Sequence, residues 1–308
     1  MRAGPAFGRI RSHGQAAGRR REGTMILVTG ATGKTGIDVV KGLSIVGAGV
    51  RALVRSEEKA ARLRRPGVEI AIGDLGEPAT LASALRGCDR VFLCSSADPR
   101  QVELQGNLVR AAKDAGVRHV VRMSGLGASL DSPVSFSRWH AETEKQLIAS
   151  GIPWTFLRPH FFMQNLLGFA GSVRAQGTLF LPMKSGKISL VDTRDIAAVA
   201  VEALTGAGHE RKIYDITGPE ALSGHDLAQQ LSKAIGKPVR YVDVPPEEAK
   251  KGMLSAGAPE WMADAMIALY GIFAASRAAA VSPVVEQVTG YPARRFEEWA
   301  RENAAAFR

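Results

Sequence analysis

The stretch ILVTGATGKTG, residues 26–36, decides the fold of this chain. Ile26 to Thr29 form a short apolar strand, and Gly30, Gly33 and Gly36 then mark a turn that opens a helix bearing Ile37, Val39, Val40 and Leu43. In such a unit the first glycine permits the tight turn, the second lets a pyrophosphate approach the main chain, and the third lets helix and strand pack closely. Free amides at the helix start, with the positive end of its dipole, hold the phosphates. Gly30, Ala31, Thr32, Gly33, Lys34, Thr35 and Gly36 are therefore expected to line a dinucleotide site. The GxxGxxG spacing differs from the GxGxxG of many dehydrogenases, and the GxxxxGK[ST] pattern of nucleotide triphosphatases does not match.

Working outward from this turn, β-branched runs alternate with helical stretches. Strands are expected at GVRALVR from 49, GVEIAIGD from 67, DRVFLCSS from 89, RHVVRMSG from 118, PWTFLRP from 153 and KIYDITG from 212. Helices are expected near 35–46, 56–64, 77–86, 99–115, 135–149 and 195–205. Strands apolar along their whole length suit a parallel sheet covered on both faces, so the expectation is an α/β doubly wound Rossmann sheet. Beyond about residue 220 the strand rhythm fades into helical segments, expected to form a C-terminal substrate cap over about 221–308 on a core of about 25–220.

The strand tips name the next candidates. The end of the second strand selects the cofactor: an acid there accepts ribose hydroxyls, whereas an arginine accommodates a 2′-phosphate. The strand ends at Arg55 and no acid precedes Glu57, which favours NADP(H). At the third tip Asp74 and Leu75 are expected to flank the adenine, with helix capping the competing role for Asp74. At the fourth, Cys94, Ser95 and Ser96 are expected on the ribose side.

The chain has 308 residues, 45% of them hydrophobic and 23% charged, the balance of a globular protein with a sizeable core. No apolar run approaches the roughly 18 residues that span a bilayer. Cys88 and Cys94 have no CxxC or clustered Cys/His spacing, so neither a disulfide framework nor a metal site is expected, and a reducing, cytoplasmic setting is. The net charge of +10 is unevenly spread: residues 1–24 hold six arginines against the single acid Glu22. That glycine-rich segment has no apolar period and is expected to be a disordered basic extension, which weakens any nucleic-acid reading of the charge.

With the glycine turn, GDL, HAETEKQLIASGIPWTFLRP, VDTRDIAAVA and the closing GYPARRFEEWARENAAAF in register, the chain resembles the NmrA-like atypical short-chain dehydrogenases/reductases from Met25 to about Phe307. It looks closest to the bacterial branch of NAD(P)H-dependent quinone reductases and triphenylmethane-dye reductases. The resemblance implies an NADPH-dependent hydride transfer to a small organic acceptor, quinones first. It also implies an alternative, a non-catalytic dinucleotide sensor that acts through a protein partner. A sugar-nucleotide epimerase ranks third, because the YxxxK pair of typical members is incomplete.

Lys145 stands where the resemblance puts the lysine that binds the nicotinamide ribose, but the position four before it is Ala141. His140 is the remaining catalytic candidate. Five residues from Lys145 it lies about 140° round the helix, whereas Glu144 at i+4 shares its face. The expectation is an imidazole oriented by that carboxylate and acting as a proton donor near neutral pH. Ser124, at the fifth strand tip, is expected to line the cleft. After the sixth strand Pro159, His160 and Phe161 are expected near the nicotinamide, Phe162 and Asn165 near the substrate, and His160 is a second donor candidate. Asp195 is expected to cap a helix or anchor the sheet.

Overall fold

The computed structural model describes residues 24–308, so the basic segment 1–24 lies almost wholly outside the described residues. Its centre is a seven-stranded sheet in which every pair is parallel. The strands are β1 (Met25–Val28), β2 (Gly49–Val54), β3 (Val68–Ile72), β4 (Cys88–Leu93), β5 (His119–Met123), β6 (Trp154–Pro159) and β9 (Lys212–Ile216), in spatial order β3-β2-β1-β4-β5-β6-β9. The order reverses between β1 and β4, and such a reversal opens a ligand crevice at the carboxyl ends of the strands.

Helices cover both faces because each carries an apolar stripe. α1 (Gly36–Ile45) buries Val39, Val40 and Leu43 on one face, in a first apolar cluster that also holds Ile26, Val28 and Phe92 of the sheet. A buried aliphatic side chain of this size contributes roughly 1.5–3 kcal/mol. α7 (Thr193–Thr205) packs beside it and is buried over most of its length, its alanines allowing close approach to the sheet. α4 (Gln101–Asp114) and α5 (Ser135–Ser150) cover the other face. The helix expected over 56–64 is only α2 (Glu57–Ala60), which turns out ahead of Pro66. α3 (Pro78–Leu85) follows the expected 77–86.

The cap begins earlier than residue 220. A 3-10 helix (Met163–Phe169), α6 (Ala170–Gln176) and β7 (Thr178–Leu181) share a second apolar cluster with α8 (Gly224–Ile235), β11 (Arg240–Asp243) and α10 (Glu260–Ala274). Here β7 pairs with β11 in parallel, and β8 (Lys187–Ile188) pairs antiparallel with β10 (Leu222–Ser223). α9 (Pro246–Ser255) leans on α10. Conversely α11 (Val284–Thr289) returns to the first cluster through Val285, so a cut at residue 220 does not divide the two clusters.

The chain closes with α12 (Phe296–Glu302) and α13 (Ala304–Phe307), whose Phe296, Trp299 and Phe307 are buried in the cap. Asp195 ties this end down by an ion pair with Arg294 and by accepting the Arg294 amide at 2.8 Å. The capping residue of α7 is instead Asp192, whose carboxylate accepts the Arg194 amide at 2.9 Å. Among the described residues no helix is long and apolar enough to cross a membrane.

Candidate active site

The glycine turn has the geometry that its sequence requires. Gly30 has φ +59°, in the left-handed region, and a Cβ there would come within 2.9 Å of the Cys94 carbonyl. A Cβ on Gly36 would lie 2.1 Å from the Gly30 carbonyl, so helix and turn touch main chain to main chain. Thr32, Gly33 and Lys34 are exposed, and the amides of Thr32, Lys34 and Thr35 donate to no main-chain oxygen. That is the donor set a pyrophosphate needs. Thr29 pins the neighbouring tip, accepting the Cys94 amide at 2.9 Å and donating to its carbonyl at 2.7 Å.

Arg55 at the tip of β2 is exposed, and among the described residues no hydrogen bond or ion pair claims it. The nearest acid in sequence, Glu57, is held by Arg64 at 2.7 Å. The residues therefore fit a 2′-phosphorylated dinucleotide. Asp74 caps no helix: one carboxylate oxygen accepts the Gly76 amide at 2.8 Å, closing a local turn. The Leu75 carbonyl accepts from Asn107 at 2.8 Å, which fixes the tip of β3 against α4.

The far wall approaches the turn through Lys34, whose ammonium donates to the Asn165 side-chain carbonyl at 2.9 Å. Although the residue is exposed as a whole, its ammonium is partly withdrawn from water at this contact, which pushes it below its usual pKa. His160, next along this wall, is not a proton donor to the cleft. It is buried, with Nε2 bonded to the Ala278 carbonyl at 3.0 Å and Nδ1 accepting the Phe161 amide at 2.6 Å. Burial holds its pKa down to about 4. Pro159 is buried, Phe161 packs edge-on against Tyr270 and Phe273 of the cap, and Phe162 packs on the first cluster.

Around His140 the structure corrects two expectations. Glu144 does not orient the imidazole. Its Oε1 accepts the Ser124 hydroxyl at 2.5 Å, and Arg158 grips it bidentately at 3.0 and 2.5 Å. The partner of His140 is Arg122 near the carboxyl end of β5, whose Nη2 lies 3.2 Å from Nδ1, with Nε2 of Gln101 at 3.4 Å. Burial first, then the charges of Arg122 and Arg158, hold the imidazole well below its usual pKa, so the ring is neutral at neutral pH. Lys145 is exposed and one position round the helix from Glu144, so it does not reach Ser124. The pair with the four-residue spacing that faces the sheet is His140 and Glu144, in place of tyrosine and lysine.

Sequence reasoning missed Arg122, Gln105 and Arg158. Gln105 accepts from Arg122 Nε at 2.9 Å and donates to the Ser95 hydroxyl at 2.8 Å, which joins the fourth and fifth strand tips in one network. Ser96 is exposed beside it. The signal was available: HVVRM places an arginine one residue before the end of a central, wholly buried strand.

Residues 22–300 match the NmrA-like family. An NAD(P)H azoreductase of Xenophilus azovorans is 49% identical over 92% of this chain and 99% of its own length. Quinone oxidoreductase 2 of Escherichia coli is 35% identical over 78% of this chain and 85% of its own. Among solved structures, an NADPH-dependent quinone oxidoreductase of Escherichia coli in complex with NADPH superposes with a TM-score of 0.84 at 31% identity, covering 90% of this chain and 99% of that one. A Citrobacter triphenylmethane reductase in complex with NADP(H) gives 0.82 at 30% identity, covering 91% and 99%.

Proposed function

Because the chain belongs to the NmrA-like family, we propose that it is an NADPH-dependent oxidoreductase acting on small, flat organic acceptors, quinones foremost and azo compounds next. The observation that carries this reading is the Lys34–Asn165 bond, which makes the phosphate turn and the wall after β6 two sides of one cleft. Bound NADPH would supply the hydride.

The chain's own residues do the rest. The free amides of the turn and Arg55 hold the phosphates, and Thr29 and Gln105 fix the Cys94 and Ser95 tips beneath them. The cap, with Phe161, Tyr270 and Phe273 packed together, shields the far end from water. His140 keeps Nε2 unbonded within the protein and is only partly covered, so a neutral N–H is available to an acceptor oxygen that gains charge. A quinone needs little acid catalysis, which agrees with the absence of a tyrosine at this place. Two unpaired cysteines support a reducing, cytoplasmic setting.

The test is to mix purified protein with NADPH and a panel of quinones and azo dyes and follow the loss of reduced nicotinamide absorbance. Acceptor-dependent consumption is expected. His140→Ala is expected to lower turnover by about 10- to 100-fold and leave NADPH affinity unchanged, because the phosphates are held at the other end of the cleft. No consumption with any acceptor would overturn the proposal.

A further inference from the structure

We infer that Arg122 is a positioning residue that holds His140 as a neutral imidazole with its proton on Nε2, facing the acceptor. The inference rests on the proposed role of His140, and its geometry is independent of that role. A guanidinium has five N–H donors and no acceptor. With Nη2 of Arg122 3.2 Å from Nδ1, that nitrogen must present a lone pair. An imidazolium would set N–H against N–H beside a positive charge, and the other neutral tautomer would do the same.

Every element packed on the ring agrees. From α4, Gln101 turns its amide nitrogen to the same Nδ1 at 3.4 Å. From β6, the charge of Arg158 opposes protonation. On α5, Glu144 is engaged by Ser124 and Arg158 and contributes no bond to the ring. On the loop after β5, Gly125 leaves room for the edge that carries the proton: a Cβ there would stand 2.9 Å from Cδ2 and 3.2 Å from Nε2.

Arg122 itself is costly. It is fully buried, bonds only the neutral Gln105 and His140, and leaves Nη1 with no partner. A buried cation without a bonded carboxylate destabilises a fold, and such sites recur where chemistry needs them. Substitution by lysine would not reproduce it, since one ammonium cannot meet both partners with a fixed fork.

The decisive measurement is long-range proton–nitrogen NMR on the full-length protein labelled at histidine, with the His140 signal assigned by its loss in His140→Ala. The expected pattern is an unprotonated Nδ1 and a protonated Nε2, with no titration at the ordinary histidine value of 6.5. In Arg122→Gln, which removes the fork and one of the two opposing charges but not the burial, the Nε2 preference should weaken and the ring should titrate at a higher pH than in the parent; Arg122→Lys, which keeps a charge but not the fork, should weaken the preference alone. Turnover of these variants should fall about 10-fold or more, with NADPH affinity retained. A parent ring that titrates near the ordinary histidine value, or carries its proton on Nδ1, overturns the inference whether or not the variants fold. If the parent pattern is as expected but His140→Ala keeps full turnover, the hold on the tautomer stands and the proposed role of His140 falls.

Discussion

The Lys34 ammonium donates to the Asn165 side-chain carbonyl at 2.9 Å across 131 residues of sequence. One partner belongs to the phosphate turn, the other to the segment that follows β6. The bond ties these two segments together at the surface, so it should matter more to NADPH than to the fold. Asn165→Ala should weaken NADPH binding by several-fold, as the loss of one net hydrogen bond of about 1 kcal/mol implies, with the melting temperature almost unchanged. Calorimetric titration reads the first and thermal melting the second.

Gly33 and Gly36 should separate affinity from stability. A Cβ on exposed Gly33 meets only the Gly30 carbonyl, at 3.1 Å, whereas one on buried Gly36 would overlap it at 2.1 Å. Gly33→Ala should therefore fold with little change and lose NADPH affinity by about 10-fold or more, because the methyl stands where a pyrophosphate approaches. Gly36→Ala should lose stability as well, by the 1–3 kcal/mol typical of overpacking or more.

We propose that Arg55 sets the choice of cofactor. It is exposed and unclaimed at the tip of β2, and Glu57 is turned to Arg64 at 2.7 Å. NADPH should bind more tightly than NADH, and Arg55→Asp should reverse the order by offering a carboxylate to the ribose hydroxyls. Equal affinities in the parent would remove Arg55 from the site.

His160 makes stability sensitive to acid. Its folded pKa lies at about 4 because it is buried, below the ordinary value of 6.5. Below pH 6.5 the unfolded chain takes up a proton that the folded chain refuses, so the stabilisation is complete above that pH and is lost as pH falls toward 4. The loss amounts to about 3 kcal/mol. His119 is held down to about 4 by burial and acts in the same sense, while Asp195, raised to about 6 by burial, acts in the opposite one. His160→Gln should thus reduce by about one the protons taken up on unfolding between these pH values, measured from denaturant midpoints.

The seven core strands were legible because each is an apolar run with a turn signal after it, and all seven lie where the runs place them. The short pairs β7 with β11 and β8 with β10 were not. Runs of two to four residues carry no period, and their partners are far along the chain. The phosphate turn was read from local spacing alone, since its chemistry is main-chain chemistry. The His140 cluster could not be, because a shift of one residue on a helix turns a side chain by about 100°, and only the packing of α5 on the sheet places Glu144 rather than Lys145 against Ser124. Likewise His160 reads as a candidate donor until Ala278, far along the chain, is seen to hold its ring.

Hydride transfer from NADPH to an acceptor can be followed in a single turnover. Protein preloaded with C4-deuterated or unlabelled NADPH would be mixed rapidly with a naphthoquinone, and oxidation of the nicotinamide followed in time. Acceptor-dependent oxidation is expected, slowed by the deuterium and with no inflection at the ordinary histidine value of 6.5, because burial and the neighbouring arginines hold His140 well below it. Tight NADPH binding with no oxidation by any quinone or azo acceptor would contradict hydride transfer and assign the chain to dinucleotide sensing.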